Sequence, residues 1–131
     1  MSLVLRVENR PDDEAWAWCE SLDVPARQFF RHRPEQAHEQ QVYLVEADAI
    51  EHIRGYGFVR LSNGAVGWAI DADLRGQGWG RKMVALLQQI ARERGLKMLI
   101  SSTDLTNAAS LAAHLKAGFV IDGYTLHWRN A

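Results

Sequence analysis

The stretch DLRGQGWGRKM, residues 73–83, limits how this chain can fold more than any other. It sets Gly76, Gly78 and Gly80 within five positions, and the hydrophobic period changes across it. Before it, "QVYLVEA" (41–47), "IRGYGFVRLS" (53–62) and "AVGWAI" (65–70) read as consecutive strands. After it, Met83, Leu86, Leu87 and Ile90 fall at i, i+3, i+4 and i+7, the spacing of one buried helical face. A strand therefore hands over to a helix through bare backbone. The first turn of a helix carries N–H groups with no intrahelical partner, and glycines ahead of it let an anion approach without meeting Cβ atoms. A phosphate is the natural guest, and Arg75 and Arg81 add positive charge on either side.

The rest of the chain predicts a closely spaced alternation of elements. "LVLRV" (3–7) alternates like a strand. Pro11, Asp12 and Asp13 open a helix carrying Trp16, Cys19 and Leu22, which Pro25 is expected to end. Residues 26–40, interrupted by Pro34, predict a short helix or two turns packed through Phe29 and Phe30. Asn63-Gly64 suits a tight hairpin between the second and third of the central strands, because both residues tolerate positive φ. Gly95 stops the long helix, with Arg92 and Arg94 near its negative end, and "LKMLIS" (96–101) follows as a buried strand. A second helix from Thr106 or Asn107 to Ala117 ends at Gly118 and leads into "FVIDGYTLHW", one or two closing strands. These elements make an α+β fold with a mixed, largely antiparallel sheet flanked by helices.

At 131 residues the chain suits one domain with one proper core. A formal net charge of −1 provides no strong field for nucleic acid. The lone Cys19 cannot form an internal disulfide, no run reaches membrane-spanning length, and the opening residues lack the apolar stretch of a signal peptide, so a cytoplasmic protein is expected. The histidines show no metal-ligand spacing with cysteine, and no metal is expected.

Two familiar phosphate-binding loops fail on the letters. A mononucleotide loop needs Gly, four residues, then Gly-Lys and Ser or Thr, whereas from Gly76 Arg81 stands where the second glycine belongs and Met83 where the hydroxyl belongs. The dinucleotide fingerprint puts a third small residue three positions after the second glycine; Arg81 follows Gly78 and Met83 follows Gly80 at that distance. What remains is Arg-x-x-Gly-x-Gly, Arg75 to Gly80. "RGQGWG" resembles the acetyl-CoA-binding turn of the GCN5-related N-acetyltransferases, the GNAT superfamily. "WAIDADLRGQGWGRKMVALLQQIARERG" is similar to that family's fourth strand and third helix, and "TNAASLAAHLKAGF" to its later helix. Ala72 departs from the proline that many members carry, which makes the turn less rigid.

The resemblance implies a single N-acetyltransferase domain over residues 1–131 with acetyl-CoA as co-substrate. It implies that backbone amides of Gln77, Gly78, Trp79, Gly80 and Arg81 hold the pyrophosphate, that Arg75 and Gly76 shape the entrance, and that main-chain atoms near Trp68 and Ile70 orient the pantetheine arm. Asn107 would contact the pantetheine side, and it also suits a helix cap. Asn107, Ser110 and His114 share a helical face. His114 stands where many members carry a Tyr that protonates the departing thiolate and where some small-molecule members carry His, so it is the expected general acid or donor to the sulfur. An ordinary His is mostly neutral at pH 7, which makes that role depend on its protonation. The fourth strand has no carboxylate to accept the amine proton. Asp104 is the first candidate, ahead of Asp71 and Glu46, and water relayed by Ser101, Ser102 or Thr103 is equal to it. The expected partner is a small-molecule or amino-acid-like amine, with a peptide amine or a non-catalytic acyl-CoA sensor as alternatives. Neither nucleic acid nor membrane is an expected partner, and exposed C-terminal strand edges leave room for a homodimer.

Overall fold

The computed structural model describes residues 2–48, 52–103, 107–123 and 125–130. Its elements run β1 (Leu3–Val7), α1 (Asp12–Glu20), α2 (Val24–Phe29), β2 (Glu39–Glu46), β3 (His52–Arg60), β4 (Val66–Ile70), a one-turn 3₁₀ segment (Ala72–Leu74), α3 (Trp79–Glu93), β5 (Met98–Ser101), α4 (Ala108–Lys116), β6 (Val120–Asp122) and β7 (Thr125–Arg129). The strands form two antiparallel sheets, β1-β2-β3-β4 and β5-β7-β6. A parallel bridge between Ala65 and Ile100 joins them, reinforced by Ile100 N–H donating to the Gly64 carbonyl at 2.9 Å. Beyond that bridge β4 and β5 have no ladder between them, and the sheet opens.

Two cores lie on opposite faces of the four-stranded sheet. On one face α3 buries Met83, Val84, Leu87, Ile90 and Ala91 against Val42, Leu44, Val59 and Val66, and this core continues to Leu99, Phe119, Leu126 and Trp128. Each large apolar side chain buried this way contributes roughly 1.5–3 kcal/mol. The helix approaches closely because β3 has a glycine beneath it: a Cβ on Gly57 would stand 2.8 Å from Met83 Sδ and 3.2 Å from Leu87 Cδ1. On the other face α1 turns Ala15, Trp18 and Cys19 onto Tyr43, Val45, Tyr56 and Phe58. Cys19 is an inert member of that core, its thiol pushed up to about 12 by burial.

Several expectations are corrected. Pro25 opens a helix rather than closing one: α1 stops at Glu20, and Pro25 lies in the first turn of α2, where its missing N–H costs nothing. The β3–β4 connection is not a two-residue turn. Arg60 N–H donates to Ala65 O at 2.8 Å and Gly64 N–H to Arg60 O at 2.9 Å, so residues 61–64 form a four-residue loop. On α4, Leu115 is 48% exposed, because the helix packs through His114 and Leu111.

Candidate active site

A cleft of about 390 Å³ occupies the opening between β4 and β5. It draws on both faces of β4: Gly67 and Ala69 from the side covered by α1 and α2, Trp68 and Ile70 from the side covered by α3. Ala26 and Phe30 close it on the first side, Gly76 and Gly80 on the second, and Ser101, Thr103, Asn107, Ser110 and His114 line its β5–α4 wall. The cleft thus reaches through the sheet, and two reactants could meet in it from opposite faces. Among the described residues, no carboxylate lines it.

At the head of α3, Gly76 and Gly78 have φ of +78° and +91°, a conformation in which an L-residue's Cβ crowds the following carbonyl. Nothing lies within 4 Å of where a Cβ on either would stand, so the space above the turn is open. Lys82 N–H donates to Gly78 O at 3.1 Å, which leaves the N–H groups of Trp79, Gly80 and Arg81 without intrahelical partners. Exposed amides, left-handed glycines and free space fit a diphosphate. The turn is braced by Arg75, whose Nε donates to the Ile70 carbonyl at 3.0 Å and whose Nη2 meets Asp23 Oδ1 at 2.7 Å. That ion pair holds the Asp23 carboxyl below its ordinary range and ties the turn to the start of α2. Arg75 is therefore spent on protein contacts, and the Ile70 carbonyl already has one donor.

Asn107 caps α4, its Oδ1 accepting from Ser110 N–H at 3.2 Å, and it also lines the cleft. Two helical turns further on, His114 is 3% exposed. Its Nδ1 stands 2.7 Å from the Ser110 carbonyl and its Nε2 2.7 Å from Ser101 Oγ. A carbonyl only accepts, so Nδ1 carries the proton and Nε2 accepts from the Ser101 hydroxyl. Trp68 lies over the ring at 4.5 Å between centroids and Phe119 meets it edge-on at 5.2 Å. Burial holds His114 below its ordinary pKa, partly offset by the Ser110 carbonyl.

The other proton acceptors fare differently. Glu46 and Asp71 are gathered, with Asp73, around the Arg54 guanidinium. The register shift between Leu44 and Val45 lets β3 bulge at Arg54, and the bulge turns that side chain toward the three carboxylates. Neither Glu46 nor Asp71 lines the cleft. Asp104 lies outside the described residues. The Asp23–Arg75 pair and the direct Ser101–His114 bond have no signature in sequence spacing, since their partners lie 52 and 13 residues apart. Phe30, expected as a packing point, lines the cleft.

Comparison with known proteins agrees with this architecture. The family described as "Acetyltransferase (GNAT) family" matches residues 5–119. An aminoglycoside N(6')-acetyltransferase type 1 from Klebsiella aerogenes is 45% identical over 53 residues, 40% of this chain and 35% of that protein. An L-methionine sulfoximine/L-methionine sulfone acetyltransferase from Pseudomonas aeruginosa is 32% identical over 116 residues, 81% of this chain. The match spans 66% of that relative, so this chain corresponds to only part of the length of both. The fold is shared with yncA of Salmonella typhimurium, solved with acetyl-CoA, at a TM-score of 0.73 and 14% identity over 98% of this chain and 94% of that one. The chain belongs to the GNAT acetyltransferase family.

Proposed function

We propose that this protein is an acetyl-CoA-dependent N-acetyltransferase that passes an acetyl group directly to the amine of a small, amino-acid-like acceptor. The observation that carries this reading is the cleft that crosses the sheet between β4 and β5, with the open amide turn of α3 on one side and Phe30 and Ala26 on the other. Such a passage suits two substrates meeting at one point, where holding the reacting atoms in line supplies much of the rate.

Bound acetyl-CoA would supply an activated thioester carbonyl. The chain's own contribution is positioning. Backbone N–H groups of Gln77, Gly78, Trp79, Gly80 and Arg81 bind the diphosphate, and Gly76 keeps the approach clear. Arg75 acts through its brace to Asp23 rather than as a free cation. The β4 edge at Trp68 and Ile70 aligns the pantetheine arm, and the Asn107 amide adds a contact beside its cap. His114, in the wall near the opening, serves the departing sulfur. For the amine proton the sequence offers Asp104 and, on equal terms, water relayed by Ser101, Ser102 or Thr103. The small acceptor is supported by the relative that matches most of the chain, which is named for methionine sulfoximine and methionine sulfone.

The test is thiol release from acetyl-CoA across a panel of amino acids, amino-acid analogues, aminoglycosides and peptides, beside calorimetry with CoA. Acceptor-dependent release with an amino-acid analogue supports the proposal, and preference for a peptide amine revises the acceptor. CoA binding with no acceptor-dependent release would make the chain a sensor, and no CoA binding at millimolar ligand overturns the reading.

A further inference from the structure

Resting on that reading, we propose that Ser101 is a catalytic residue: its hydroxyl takes the attacking amine's proton while handing its own to His114 Nε2, and the pair then returns a proton to the sulfur. Nδ1–H of His114 is committed to the Ser110 carbonyl at 2.7 Å, so the neutral ring offers Nε2 as a lone pair only. The Ser101 hydroxyl fills it at 2.7 Å. With its hydrogen spent, Ser101 Oγ presents lone pairs, the partner an amine N–H needs.

Position points the same way. Ser101 follows directly on Ile100, whose bridge to Ala65 is the last link before β4 and β5 part, and both Ser101 and His114 line the cleft. Ser101 is 3% exposed, so bulk water competes little for its oxygen. Trp68 and Phe119 fix the imidazole plane, and Thr103 Oγ1 donates to Ser110 Oγ at 2.9 Å behind it. Ser101 of β5, Ser110 of α4, Trp68 of β4 and Phe119 surround the ring, and among the described residues no charged group is bonded to it. The cleft has no described carboxylate to do this work instead.

The balance closes without another reactant. The amine enters neutral, its first surplus proton lost to water. As the C–N bond forms, the N–H proton passes to Ser101 Oγ, and the Ser101 proton passes to Nε2. The C–S bond breaks with its electron pair left on sulfur, and the proton on Nε2 returns through Ser101 to give the thiol. The product is amide plus thiol, with Ser101 and His114 as they began. A neutral His114 has no free N–H for the sulfur at the outset, so its role as acid follows from first receiving the amine's proton.

The experiment compares wild type with Ser101→Ala, Ser101→Thr, His114→Ala, the Ser101→Ala/His114→Ala pair and Asp104→Asn, by steady-state kinetics, CoA calorimetry and ¹⁵N NMR of the imidazole. Expected are a kcat loss of about 100-fold or more in Ser101→Ala, CoA affinity unchanged, partial rescue by Ser101→Thr, and a double variant little worse than His114→Ala. The free protein should show His114 protonated at Nδ1 and bare at Nε2, with the Nε2 signal moved in Ser101→Ala. An Nε2–H tautomer, a Ser101→Ala kcat within a few-fold of wild type, or loss of rate in Asp104→Asn alone would each overturn the relay. If wild type turns over normally while Ser101→Ala matches it, only the relay fails. If wild type shows no acceptor-dependent release, the acetyltransferase reading fails and the relay with it.

Discussion

Two imidazoles sit against the central sheet, one in each core, and their surroundings differ in kind. His32 lies flat on Phe58, ring centroids 3.5 Å apart, and its Nε2 contacts the Glu39 carboxylate at 2.7 Å. That carboxylate, 2% exposed, also accepts from Tyr56 Oη and from Gln41 Nε2, whose amide oxygen in turn accepts from Tyr43 Oη. Gln41 also accepts from Arg10 N–H and Glu39 from Glu35 N–H, so the network ties the segments before α1 and after α2 to β2 and β3. His114 has only neutral partners, and its serine opens on a cleft. A buried carboxylate with several donors makes a lock, because removing any member strands the others in low dielectric. A buried imidazole between a carbonyl and a hydroxyl is free to change its protonation during a reaction.

The contrast breaks down first if His114 proves structural. His114→Ala should lower kcat by about 100-fold or more while CoA affinity by calorimetry stays near wild type; unchanged turnover in a folded variant would make both imidazoles equivalent. The reciprocal change, Glu39→Ala, should cost about 3 kcal/mol of stability by stranding the Tyr56, Gln41 and His32 donors. Its kcat per folded molecule should hold, which denaturant titration and active-site counting can check together. Gly78→Val tests the cofactor side: a β-branched residue at φ +91° carries roughly 1–2 kcal/mol of strain, and CoA affinity should fall about tenfold if that strain is relieved by rearranging the turn.

Acid sharpens the comparison, and the two groups act in different windows. His114 has a folded pKa below its ordinary 6.5, so between the two values the unfolded chain binds the extra proton. Its contribution is complete above pH 6.5 and declines as pH falls toward the folded value. Glu39 is also depressed, because its donors outweigh the opposing cost of burial, so its contribution holds above its ordinary 4.5 and is lost below that. Stability measured against pH should fall in two stages, and Glu39→Gln should shrink the lower one, to which the depressed Asp23 also contributes. The smallest effect belongs to Asp23→Ala. The Asp23 and Arg75 side chains are 33% and 42% exposed, so the lost pair should cost about 0.5 kcal/mol or less in stability, fading further with salt.

The parts of the fold that were legible in the sequence are those with local causes. β1 was expected at 3–7 and runs Leu3–Val7, and the spacing of Met83, Leu87 and Ile90 marked the buried stripe of α3. Gly95 and Gly118, both with positive φ, follow the helices they were expected to stop. The amide turn was legible because left-handed backbone selects glycine wherever it occurs. Pro25 was misplaced because proline suits both the end of one helix and the first turn of the next, and the letters alone do not separate the two. Asn63-Gly64 gave a turn of the wrong length because pairing between Arg60 and Ala65, together with Gly64 meeting β5, fixes the register.

For the site, the sequence by itself determined an exposed row of amides at the head of a helix and a polar face, Asn107, Ser110 and His114, on another. Both follow from periodicity and from glycine's backbone freedom, which operate over a few residues. Only the tertiary structure decided which proton His114 holds, that Arg75 is tied to Asp23, that Glu46 and Asp71 surround Arg54, and that Ser101 stands at the point where the two sheets part. Those are contacts between segments far apart along the chain, and a hydrogen bond's direction is fixed by the partner that folding brings to it.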